Sequence, residues 1–81
     1  MESFVEVLES LSVIESDTSI PRNVRIKIKT AMDILSDSKE ENIALKVDKS
    51  MEELHDVADD PNVPQYTKMQ IWSVVSLLGK Q

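Results

Sequence analysis

The chain has 81 residues, no Cys, and 15 acidic against nine basic residues, for a formal net charge of -6. It therefore has no disulfide framework, thiolate nucleophile or thiolate metal site, and its acidity argues against general affinity for nucleic acid or anionic lipid, both of which favour clustered Lys and Arg. One Gly, with 41% apolar and 30% charged residues, points to almost continuous helix. The length suits one domain, residues 1–81, too small to bury all of its apolar side chains efficiently. Glu2, Glu6 and Glu9 stand where a signal peptide carries bases, and no apolar run reaches the roughly 20 residues of a membrane-spanning helix. A soluble, cytoplasmic protein is expected.

The first helix is predicted over about 3–17, from Ser3 to Asp17. At about 100° per residue, Phe4, Val7, Leu8, Leu11 and Ile14 share one arc of about 120°. A corner at Thr18-Ser-Ile-Pro21 follows, with Ser19 as the expected N-cap and Pro21 in the first turn, where its missing N–H is not needed. The second helix, about 20–35, turns Val24, Ile28, Ala31, Met32 and Leu35 inward. Arg22, Arg25 and Lys29 line one flank, with Asp33 at ion-pair spacing from Lys29.

Ser36 to Asn42 is the most polar stretch and reads as the central loop. Asn42 is the expected cap of the third helix, with Ser38 and Glu41 (capping-box spacing) as an alternative start. That helix, about 43–59, presents Ile43, Val47, Met51, Leu54, Val57 and Ala58 to the core. Asp60-Pro-Asn-Val-Pro64 makes the next corner, with Asn62 placed as Ser19 was. The fourth helix, about 63–78, turns Thr67, Ile71, Val74, Val75 and Leu78 inward, and Gly79 is placed to end it.

The chain repeats itself. Moving the second half back from Asp60 to Asp17 sets Phe4 on Val47, Leu8 on Met51, Leu11 on Leu54 and Ile14 on Val57. The same shift sets Ile28 on Ile71 and Leu35 on Leu78. Inner positions keep their character while outer ones drift, as expected where packing is what the copies share. Each unit is a helical hairpin that cannot bury its stripes alone. The fold class is therefore all-α, an up-and-down four-helix bundle made of two similar hairpins.

Ile20-Pro-Arg-Asn-Val-Arg25, and Asp60-Pro-Asn-Val-Pro64 with Lys68 and Ile71-Trp72, resemble two signatures of a group of short archaeal proteins, uncharacterised protein family 0147. The resemblance covers nearly the whole chain and is strongest over 17–35 and 54–78. It implies an archaeal all-α bundle and brings no activity, ligand or functional residue. Two positions depart from the family pattern: Ile43, where the family opens the helix with Pro, and Lys68, where Arg is usual.

Chemistry-bearing constellations are sparse. Glu52-Glu-Leu-His55 has the Glu-x-x-His spacing of di-iron bundles, but the first half reads Glu9-Ser-Leu-Ser12 at the same place. With Leu54 at 0°, Glu52 lies at about 160° and His55 at about 100°, away from the core. His55 and Asp59 could hold a surface metal at i,i+4, but two ligands make no catalytic site, and an ordinary His–Asp pair at a helix end is the plainer reading. One His, no Cys, no Gly-rich loop and no serine elbow leave no enzyme to propose. No catalytic residue, metal, cofactor or small-molecule substrate is expected.

What remains is surface. Arg22, Arg25 and Lys29 form the only concentrated positive feature, and Lys68 is the main base of the last helix. Together they frame an alternative reading, a nucleic-acid-associated accessory protein, which the acidic faces of the first and third helices oppose. The Asp17–Arg25 corner repeats in its cap, branched residue and Pro, so recognition by that stretch would fall to Arg22, Arg25 and Lys29. Val13, Ile26, Leu45 and Met69 point away from their stripes by about 160–200°. Ile34, Trp72 and Leu77 sit at the boundary. Outward apolar residues on the second and fourth helices are expected to form one patch with Trp72 as anchor, the alternative being that Trp72 covers an end or seam of the bundle. The preferred reading is a non-enzymatic helical module that binds a protein or itself through Arg22, Arg25, Ile26, Lys29, Lys68, Met69 and Trp72.

Overall fold

The computed structural model describes residues 4–80, so the expected helix start at Ser3, and Glu2, lie outside the described residues. Four helices follow in order: α1 (Val5–Glu15), α2 (Arg22–Ser36), α3 (Ile43–Asp59) and α4 (Gln65–Leu78). No strand occurs among the described residues. Consecutive helices pack side by side and α4 closes back on α1, while α1 and α3, and α2 and α4, lie across the diagonals without close backbone approach. This is the up-and-down bundle, 34 × 20 × 19 Å in extent.

The repeat governs the core. Val7, Leu11 and Ile14 are buried, as are their repeat counterparts Ser50, Leu54 and Val57, and Ile28, Ala31 and Leu35 are buried as are Ile71, Val74 and Leu78. The corners also match. The Asp17 carboxylate accepts the Ser19 N–H at 2.9 Å, and the Asp60 carboxylate accepts the Asn62 N–H at 2.8 Å. Such Asx turns compete with helix for the backbone, so α1 stops at Glu15 rather than Asp17.

Those turns also correct the expected caps. Ser19 and Asn62 cap nothing; the flanking residues are Pro21 and Pro64, with φ/ψ of -54/144 and -60/150 and no side-chain cap bond. α2 and α4 therefore begin at Arg22 and Gln65, two residues later than the expected 20 and 63. The residue before a Pro is disfavoured in the α region, and Ile20 and Val63 instead drop their side chains into the core, 2% and 5% exposed. Asn42, by contrast, caps α3 as expected, its side-chain oxygen accepting the Leu45 N–H at 3.1 Å. The Glu40 carboxylate supports it from the Asn42 N–H at 3.0 Å.

The first half of α3 is rotated from its expected orientation. Lys46 and Ser50 are buried, whereas Ile43, Val47 and Met51 are half-buried against the core. Leu45, expected to point outward, is half-buried beside Ile34, Asp37 and Glu40 of α2 and the central loop. The loop supplies cover that a helical wheel cannot foresee. Ser50 remains satisfied because its hydroxyl donates to the Val47 carbonyl at 3.0 Å. Gly79 ends α4 with φ -65 and ψ -12, so its access to left-handed backbone is unused.

Candidate interaction surface

The basic flank of α2 is less available than its sequence suggests. Arg25 is half-buried, its Nε donating to the Ile20 carbonyl at 3.1 Å, which ties the start of α2 to its own corner. Lys29 reaches Asp33 at 3.4 Å, the expected i,i+4 pair. Arg22 is exposed. At the exposed corner, the Asp17 carboxyl is held below the usual carboxylate range, chiefly by the Ser19 hydroxyl and then by the Ser19 N–H, with Arg25 adding a weaker pull. Two of the three bases thus serve the corner and the helix they sit on.

Apart from Leu45, the outward apolar residues stand where the wheel places them, but not together. Ile26 is 54% exposed on α2; Met69 and Trp72 are 61% and 50% exposed on α4. α2 and α4 are diagonal, so a single patch across them does not exist. Ile26 and Met69 occupy equivalent places in the repeat and look out from opposite sides of the bundle. Arg22, Arg25, Ile26 and Lys29 make one surface; half-buried Lys68, Met69 and Trp72 make another.

Trp72 covers the α3–α4 seam, its ring centroid 5.6 Å from that of His55 at a 44° tilt. His55 therefore rests on Trp72, and the expected pair with Asp59 is not formed. Glu52 and His55 face outward, and among the described residues no three His, Asp or Glu side chains gather closely enough to hold a metal.

Comparing the two long seams exposes a feature the sequence reading missed. Lys27 on α2 bridges to Asp56 on α3 at 3.9 Å. The repeat counterparts of this pair are Gln70 on α4 and Val13 on α1, which cannot form it. In place of an ion pair, the α1–α4 seam holds an open hollow of about 270 Å³ lined by Ser10, Val13, Ile14, Gln70, Ser73 and Leu77 among others, none charged. Val13 at its rim is 66% exposed. Sliding charged positions, not only apolar ones, along the repeat would have found it.

α4 is unusual in the same respect. Its exposed residues are Gln65, Tyr66, Met69, Trp72, Ser73 and Ser76, and none carries charge. Its one charged residue, Lys68, is half-buried. Charge depletion with Tyr, Trp and Met enrichment is the compositional mark of interface cores. Among the described residues, no helix is long and apolar enough to cross a membrane.

Comparison with known proteins places the chain in a group. The profile of the Uncharacterised protein family (UPF0147) matches residues 1–80. A UPF0147 protein of Methanosarcina mazei is 39% identical over 91% of this chain and 75% of its own length. One from Archaeoglobus fulgidus is 34% identical over 93% of this chain and 84% of its own. The crystal structure of MMP1188, a protein of unknown function, superposes with a TM-score of 0.89 at 32% identity, covering 96% of this chain and 88% of that one.

Proposed function

The chain belongs to the Uncharacterised protein family UPF0147, and from that premise we propose that it is a non-enzymatic, cytoplasmic helical module whose work is protein binding. The observation that carries this reading is the uncharged outer face of α4, with Tyr66 72%, Met69 61% and Trp72 50% exposed. A chain with 30% charged residues that leaves its most aromatic helix bare of exposed charge favours contact with another macromolecule there. Trp72, half covered by His55, supplies a large, partly fixed anchor. The acidic, Cys-free composition supports the cytoplasmic setting.

Capture from a native archaeal extract on immobilised chain tests the reading. Wild type is expected to retain partners, or further copies of the chain, that Met69→Glu loses. Equal retention by the two would refute it. The alternative, a nucleic-acid-associated accessory acting through the α2 flank, draws less support, since Arg25 and Lys29 are engaged locally.

A further inference from the structure

We propose that the occupant of the α4 face is a second copy of this chain, in a two-fold side-by-side dimer with α4 of each copy at its centre; this rests on the protein-binding reading above. In an isologous pairing every patch meets its own copy, so each helix can be asked what it would face. α1 would set Glu6 and Glu9 against their own copies, and it holds no base. α2 would bury exposed Arg22, Lys29 and Asp33, and α3 exposed Asp48, Lys49, Glu52, Asp56 and Asp59, each a charge to be stripped of water. α4 alone would bring no exposed charge against its like. On a chain of net charge -6, that is the side by which two copies approach most readily.

Size agrees with charge. A side of the bundle measures 34 × 20 Å, an outline of about 700 Å², against roughly 800 Å² per partner in a standard interface. The dimer thus needs most of one side, α4 together with the uncharged strip of α1 at Ser10 and Val13. Met69 lies centrally, with Tyr66 and Trp72 three residues to either side on the same helix. Beside it, the open, uncharged hollow of about 270 Å³ bounded by Val13 and Ser73 leaves room for a side chain from the other copy. The two hairpins are alike in fold, and only one of them offers this surface: its counterpart on α2 carries Lys29 in place of Trp72 and Asn23 in place of Tyr66.

Light scattering after size exclusion decides the matter on the full chain. Wild type at high micromolar concentration is expected at twice the 9.2 kDa chain mass. Met69→Glu and Ser73→Glu, both at exposed positions, are expected to raise the dissociation constant at least about a hundredfold through like-charge opposition. Their circular dichroism should match wild type. Ile26→Glu, at the repeat-equivalent place on α2, should leave the dimer intact. A wild type of single-chain mass overturns the dimer, as does a dimer unmoved by both α4 variants or dissociated equally by Ile26→Glu. A monomer that still retains another protein through Met69 sinks the dimer and leaves the protein-binding reading standing; a monomer that retains nothing removes both.

Discussion

Leu11 and Leu54 are repeat partners, each fully excluded from solvent in facing hairpins. Truncating either to Ala removes three buried carbons, a transfer loss of about 2.4 kcal/mol at about 0.8 per carbon. A cavity contribution follows, because four packed helices relax only partly, bringing the expected cost to about 3–5 kcal/mol. For 81 residues the whole stability is about 4–12 kcal/mol, so one such change removes a quarter or more of it. Urea titration monitored by circular dichroism, at matched protein concentration because association adds to apparent stability, measures the loss. Leu11→Ala and Leu54→Ala should agree within about 1 kcal/mol, since the same packing rule places both. A cost below about 1 kcal/mol at either site, or a large gap between them, would refute the view that the two hairpins contribute equivalent halves of one core.

Two further outcomes follow from local geometry. At Gly79 the backbone is right-handed helical, and an added Cβ would meet the Val75 and Ser76 carbonyls at 3.5 and 3.6 Å, ordinary contact distances. Gly79→Ala should therefore raise stability by about 0.4–1 kcal/mol in thermal unfolding, whereas a loss would mean the helix end needs glycine after all. The depressed Asp17 carboxyl makes a contribution that is present above the unfolded carboxylate pKa and is lost as pH falls through the lower folded value. Asp17→Asn should flatten stability against pH below about 4 and leave its shape near neutrality unchanged; an identical acid limb in the variant would show that the Ser19 contacts carry no weight.

The fold was legible because apolar spacing on α1, α2 and α4 is dense enough to fix which face turns inward. The offset from Asp17 to Asp60 doubled that information. The wheel misled at α3, where Lys46 and Ser50 are buried in place of Val47 and Met51. A wheel weighs hydrophobicity alone, whereas a long Lys stem or a Ser that bonds its own turn can be covered without penalty. At the corners, Ser19 and Asn62 had the chemistry of caps, but the prolines keep Ile20 and Val63 out of the helical region, so the helices start only after Pro21 and Pro64 and neither side chain caps them. On the surface, Val13, Ile26 and Met69 point outward as expected and Leu45 does not. Trp72, expected at the boundary, is 50% exposed, but which helices are neighbours depends on how the bundle closes, and periodicity does not carry that information.

The central linker, residues 37–42, now takes on a second significance. Each hairpin is a complete half whose buried face matches the other half almost position for position, so either half can recognise its complement on any chain. Within one chain, six intervening residues, braced by the Asp37 side chain on the Lys39 N–H and by Glu40 on the Asn42 N–H, let the chain double back. Shortening that stretch would leave every core contact attainable while moving half of them to a different molecule. The linker, which buries little, is thus the element that sets whether this sequence closes on itself or exchanges halves with a neighbour.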